Sequence, residues 1–367
     1  MYLFREYNKP SYIFTLLIFI CVGAGYAQSR QPTDRVAIYP DSTWLQYTTP
    51  EQAGWSSEKI AEVKDFADSL GSDAVLLIHD GAIVTGWGHN TEVEFIASIY
   101  KSLFNSLYGI AVEKGEIDTS STLGELGIQA NPPLTKKERQ AKVIHLLSAS
   151  SGVYRQGRGA VPGSVKPGEQ WYYNSWDFNA LGSIYEQETG EVVFKAIEKH
   201  IAETISMQDY EATWGYYFSQ PWRSEHPSYN IWMSARDLAR FGLLYLRNGQ
   251  WKGKQILSPK WIEETTKPRF KNVIGEEIPI NYGLLWWISA NDLGQFDAYF
   301  APGVGNQSVW VLPKLDIVFV HRASRDYNQG VYGLDVEEIL LRLIDAQIGK
   351  PISDPELIPV EWSQETE

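Results

Sequence analysis

The chain has 367 residues, a formal net charge of −13 and a single cysteine, Cys21. Such a length supports a sizeable core in one large domain or two entwined ones. An acidic balance with no basic run argues against nucleic acid or an anionic membrane surface as the main partner. One cysteine rules out an internal disulfide or a multi-thiolate metal centre.

Residues 1–27 read as an export signal. Arg5 and Lys9 carry positive charge, residues 12–22 are an apolar run, and Gly25-Tyr26-Ala27 offers cleavage after Ala27. The expectation is a periplasmic or secreted protein, with an uncleaved anchor as the alternative. The apolar run falls short of the about 20 residues of a membrane span. Lipid attachment at Cys21 is opposed by Ile20, where a small residue is expected. Residues 28–49 are read as an extension, 50–346 as the domain and 347–367 as a tail.

Ser56-Ser57-Glu58-Lys59 opens a polar-rich helix, with Ser56 or Ser57 as N-cap. Two strands over 74–78 and 82–85 flank Asp80-Gly81, a hairpin turn signal. A helix then begins near Ser98 and ends near Gly115, with Leu103, Leu107, Ile110 and Ala111 at helical spacing. From about 116 to 265 the pattern is mainly helical with long loops. Ser175 or Asp177 caps a helix running to Gly190, and Ser234-Ala235-Arg236-Asp237 has the form of a capping box. Strand patterns return at 282–288, 308–311 and 317–320, the last two split by the turn Pro313-Lys314-Leu315-Asp316; a helix over 336–344 closes the domain. The expected class is α/β (α+β): an antiparallel sheet built from both chain ends, flanked by helices, with a mainly helical insert.

Within this frame Ser98 and Lys101 stand three apart, on one helix face, where an amine can reach a hydroxyl. A serine needs a neighbouring base to become nucleophilic, so the pair can form a covalent catalyst without histidine. A buried N-cap is the alternative role for Ser98, as capping is for the second S-x-x-K at Ser56. A second proton carrier is sought in Pro167-Gly168-Glu169-Gln170-Trp171-Tyr172-Tyr173-Asn174-Ser175-Trp176-Asp177. A tyrosine there could share protons with the pair. Burial lowers a lysine pKa, and an adjacent ammonium lowers a phenol's, so each could bring the other toward neutral pH.

These pieces resemble the serine β-lactamase and penicillin-binding-protein superfamily, on its class C and esterase side, and are similar to 6-aminohexanoate-dimer hydrolases. His145-Leu146-Leu147-Ser148-Ala149-Ser150-Ser151-Gly152 resembles the family's H-L-L-x-x-x-S-G. The stretch from Pro167 to Gly182 resembles P-G-x-x-F-x-Y-S-N-x-x-Y-x-L-L-G, Met233 to Leu246 its M-S-A-R-D-L-A-R-F-G helix, and Tyr282-Gly283-Leu284-Leu285-Trp286-Trp287 its Y-G-x-x-W strand. The likeness runs from about 50 to 346 and implies a β-lactamase/transpeptidase-like fold. It makes Ser98 the nucleophile, Lys101 its base and, by register from Gly168, Tyr173 the second proton carrier, with Tyr172 in reserve. Ser175 falls where asparagine is common. The third motif falls on Ala301-Pro302-Gly303, so Ala301 stands where a lysine or histidine would hold a substrate carboxylate. Pro302 lacks an N–H and requires an open strand edge. The oxyanion donors implied are the backbone N–H groups of Ser98 and Val304.

No histidine pair has a metal spacing, and Ser148-Ala149-Ser150-Ser151-Gly152 fails G-x-S-x-G. His226 is a further candidate for the pocket, and Arg155 and Arg158 for the missing cation. The resulting expectation is a secreted serine hydrolase that cleaves an ester or amide of a small molecule through a Ser98 acyl-enzyme, without cofactor. The alternatives are a D-Ala carboxypeptidase or β-lactamase acting on peptidoglycan-type substrates or β-lactams, and an inactive binding protein of the same fold.

Overall fold

The computed structural model describes residues 37–154, 165–219, 224–323 and 333–362. The expected signal with Cys21, and Arg155 and Arg158, lie outside these. In chain order the elements are β1 (Leu45–Tyr47), α1 (Pro50–Ala53), α2 (Ser57–Leu70), β2 (Ser72–His79), β3 (Ala82–Gly88), β4 (Glu94–Phe95), α3 (Tyr100–Glu113), α4 (Val143–Leu147) and α5 (Ser175–Thr189). There follow α6 (Val193–Ile197), β5 (Gly215–Phe218), β6 (Ser228–Met233), α7 (Ala235–Leu246), β7 (Gln250–Trp251), β8 (Lys254–Gln255) and α8 (Pro259–Thr266). The last are β9 (Ile280–Tyr282), β10 (Trp287–Ser289), β11 (Tyr299–Gly303), β12 (Gln307–Leu312), β13 (Ile317–Ala323), α9 (Gly333–Asp345) and β14 (Leu357–Pro359).

Local chemistry accounts for several of these boundaries. Asp80 and Gly81 both take positive φ (52° and 83°), the backbone of a type I′ turn, so β2 and β3 form a tight hairpin. Ser56 caps α2 by accepting from the Lys59 N–H at 3.3 Å. Ser234 caps α7 likewise, but the box is only half made. The Asp237 carboxylate instead accepts the N–H groups of Gln208, Asp209 and Tyr210, since tertiary donors outcompete the local one.

Among the described residues nine strands form one sheet, ordered β14-β1-β3-β2-β13-β12-β11-β10-β9. Every pair is antiparallel except β1 with β3. The expected mixed architecture with a sheet completed from both chain ends is what forms. Strand β13 sits between β2 and β12, so residues 72–79 pair with residues 317–323. Helix α7 lies on the sheet because Gly242 has no side chain: a Cβ there would stand 2.6 Å from Val318 Cγ1.

Three expectations change. Residues 28–49 and 347–367 were set outside the domain, yet β1 and β14 pair with each other at the sheet edge. The single strand expected over 282–288 is the hairpin β9–β10, because Gly283 donates back to Trp286 O at 2.9 Å and Leu285 turns to positive φ. The helical insert also contributes β5 and β6, which form a small sheet with β4 from before it, and the β7–β8 hairpin. Among the described residues no helix is long and apolar enough to cross a membrane.

Candidate active site

Ser98 lies in one 3₁₀ turn, Ala97–Ile99, joining β4 to α3. Ala97 has φ +47°, a left-handed conformation that costs a non-glycine residue of order 1–3 kcal/mol. Neighbouring contacts hold it there. Ile96 N donates to Ile231 O at 3.0 Å, and Gln307 Nε2 to Phe95 O at 2.9 Å. Gly303, at the end of β11, packs flush on the turn: a Cβ there would meet Ile96 O at 2.8 Å. The Ser98 side chain does not cap α3, whose first turn has no side-chain cap bond. Its Oγ accepts instead from Lys101 Nζ at 2.8 Å, and Ser98 is half-buried.

Lys101 is 7% exposed, and its ammonium position is walled by aromatic faces. Nζ stands 4.5 Å from the ring centre of Tyr100, 4.9 Å from Phe178 and 5.2 Å from Tyr173. Burial drives its pKa down from 10.5 to about 7, so at neutral pH much of the amine is uncharged and able to accept a proton. The expectation for the phenol is reversed. Burial pushes Tyr173 up, and a side-chain hydrogen bond with Ser98 offsets this only in part. Tyr173 therefore remains protonated, and of the two groups only the amine can accept a proton near neutral pH.

The remaining candidates separate. Tyr173 comes to Ser98 and Lys101, whereas Tyr172 donates its N–H to Ala149 O and turns its ring edge-on to Tyr154 at 4.9 Å. Ser175 is exposed in the first turn of α5. Neither it nor Asp177 is the cap: Asn174 is, accepting from Trp176 N and donating to Asp177 Oδ1 at 2.8 Å. His226 is buried outside the site, with Nδ1 2.9 Å from Ser183 Oγ, Nε2 3.1 Å from Gln129 O, and its ring edge-on to Trp176. Ala301 is buried and paired with Val309, and offers only a methyl group.

Strand β11 is interior, but β10 pairs with it only as far as Phe300, so Pro302 meets an open edge there. Val304 is half-buried at the start of the β11–β12 turn, directly after Gly303. Nothing in the residue pattern marks Phe178 and Tyr100 as walls around the amine. Nor does that pattern reveal the aromatic row formed by Trp287, Phe300 and Trp310, which needs the strand register to be seen. That row lines an apolar trough with Ile278, Ile280 and Pro302, reaching Gly303. Among the described residues no cluster of His, Cys, Asp or Glu could hold a metal ion.

A hydroxyl, a partly neutral amine and a protonated phenol thus meet beside a strand end, the parts of a covalent acyl-transfer site. A protein of Alkalihalophilus pseudofirmus, itself uncharacterised, is 25% identical over 260 residues, covering 62% of this chain and 74% of that one. A 6-aminohexanoate-dimer hydrolase of Paenarthrobacter ureafaciens is 29% identical over 97 residues, 25% of this chain and 24% of that protein. The solved structure of a family VIII carboxylesterase superposes with a TM-score of 0.59 at 16% identity, over 83% of this chain and 98% of that one, a likeness of fold. The sequence profile described as beta-lactamase matches residues 60–343, which span the nucleophile turn, the phenol and the strand end assembled above, and so the chain belongs to the beta-lactamase family of serine hydrolases.

Proposed function

We propose that this protein hydrolyses an ester or a small linear amide through a Ser98 acyl-enzyme. The observation that carries the reading is the 2.8 Å contact between Lys101 Nζ and Ser98 Oγ inside an aromatic enclosure that holds the amine near pKa 7. Neutral Lys101 takes the Ser98 proton as Oγ bonds to the carbonyl carbon, and the carbonyl electron pair moves to oxygen. The Ser98 and Val304 N–H groups receive that oxyanion. The tetrahedral species then collapses and the bond to the leaving group breaks. Tyr173 gives the leaving oxygen or nitrogen its proton and is resupplied by the Lys101 ammonium. Water adds to the acyl carbonyl by the same path reversed, its proton passing to the amine. Net, one water is consumed and an acid plus an alcohol or amine are released.

Two features favour uncharged substrates. Ala301 offers no cation for a carboxylate, and the trough from Gly303 past Trp287, Phe300 and Trp310 is apolar. The matches to a family VIII carboxylesterase fold and to a 6-aminohexanoate-dimer hydrolase support ester or linear-amide cleavage as the reaction class. The test is intact-mass analysis after treatment with an active-site phosphonate, alongside a screen of acyl esters, dipeptides and nitrocefin. One adduct on the wild type and none on Ser98→Ala is expected, with esters turned over ahead of nitrocefin. No adduct on the wild type, with no turnover, would leave only a binding role for the fold, and an equal adduct on the variant would place the nucleophile elsewhere; either result overturns the reading.

A further inference from the structure

We infer that His321 is a positioning residue for the oxyanion-binding turn, fixed in one tautomer between Ser72 and Asn306. This rests on the acyl-enzyme reading above. His321 lies on β13, away from Ser98 and Lys101 in sequence, and is fully buried. Its Nδ1 is 2.8 Å from Asn306 O, and its Nε2 is 2.9 Å from Ser72 Oγ. A carbonyl oxygen can only accept, so Nδ1 carries the hydrogen; Nε2 then holds a lone pair, and the Ser72 hydroxyl donates to it. Burial lowers the ring's pKa to about 4, which keeps this neutral form at working pH.

Asn306 belongs to the three-residue turn 304–306 between β11 and β12. That turn contains two positive φ values, 88° at Gly305 and 58° at Asn306. Gly305 adopts such a backbone freely; Asn306 does so at some cost and benefits from an outside hold. Val304, whose N–H is assigned to the oxyanion, opens the same turn. Arg322, the next residue of β13, is buried and donates to Met233 O at 2.7 Å, and pairs with Glu94 at 2.8 Å. Glu94 is in β4, which leads into the Ser98 turn. Two consecutive residues of one central strand therefore reach the supports of both oxyanion donors, His321 the turn of Val304 and Arg322 the strand before Ser98.

A group acting in this way alters the tetrahedral steps more than substrate binding. His321→Leu should lower kcat by about 10–100-fold, somewhat less than outright loss of an oxyanion donor, with KM within about threefold. His321→Asn can place an amide N–H near Nδ1 and should recover most of that loss. Ser72→Ala should give a smaller fall of about 3–10-fold, because Nδ1–H remains. The decisive reading is the carbonyl stretch of a trapped acyl-enzyme by isotope-edited infrared spectroscopy. In His321→Leu it should move to higher wavenumber, toward that of a free ester, and in His321→Asn it should return.

Thermal unfolding of each variant accompanies the kinetics. A His321→Leu enzyme with unchanged kcat and an unshifted carbonyl band overturns the inference. So does a variant whose rate falls only in step with loss of folded protein and is not restored by asparagine. Failure of the wild type to form any acyl-enzyme would instead overturn the parent reading, and this one with it.

Discussion

Exchanging Lys101 for methionine should make the protein more stable at neutral pH while abolishing the proposed hydrolysis. The native amine has a pKa of about 7 because burial disfavours its charge, against 10.5 for an ordinary lysine. Between those two values the unfolded chain holds a proton that the native state has released, so stability rises with pH across that window. Below pH 7 both states are protonated and the native state bears the whole penalty, about 5 kcal/mol at 1.36 kcal/mol per pKa unit. Most of that penalty is gone by pH 10. Methionine removes it and packs on the same three ring faces, but forfeits the hydrogen bond to Ser98, worth about 1–1.5 kcal/mol. The net gain expected at pH 7 is about 3 kcal/mol, vanishing or turning into a small loss near pH 10. Urea unfolding of both proteins at pH 7 and pH 10 reads this directly, since groups other than Lys101 titrate alike in the two chains. A difference in stability that does not change with pH would refute the reasoning.

The rate should follow the same amine. For an uncharged ester, kcat/KM should rise with pH through an apparent pKa near 7 and level off above it, as the ammonium below that value cannot accept the Ser98 proton; a flat profile from pH 5 to 9 would contradict this. Gly303→Ala should lower kcat/KM by about 10–100-fold, more than its accompanying fall in melting temperature accounts for, because a Cβ 2.8 Å from Ile96 O pushes β11 off the Ser98 turn. Steady-state kinetics with a melting curve check that pair of outcomes. Gly242→Ala sets two effects against each other: alanine favours a helix by about 1 kcal/mol, while the clash at 2.6 Å with Val318 Cγ1 costs about 1–3 kcal/mol. Packing should win, and the urea midpoint should fall.

What could be read from the residues alone was local. Asp80-Gly81 dictates its own turn, Ser56 and Ser234 cap their own helices, and Ser98 reaches Lys101 within a single turn of backbone. What escaped depends on partners distant in sequence. Strands β1 and β14 have three residues each and no alternation of their own; each is a strand because the other is there. Asn174 outcompeted Ser175 and Asp177 as cap because Val153 O and Asp177 orient its amide. The phenol of Tyr173 was expected to fall in pKa beside an amine, but enclosure by Phe178, Trp287 and Tyr282 prevails over any help from the neighbour. His226 looked like a pocket group and is a structural one, since both ring nitrogens have partners within the fold.

The insertion of β13 between β2 and β12 also bears on how this molecule is made. A ribosome must deliver residue 323 before β2 can acquire its neighbour, so the nascent hairpin of β2 and β3 waits with one flank bare through most of translation. That flank includes Val75, Leu76, Leu77 and Ile78, an invitation to mispairing between unfinished chains. The same delay leaves the Ser98 turn uncovered: until β11 arrives, Gly303 cannot pack on it, and a chain that stalls early lacks the strand end beside the serine.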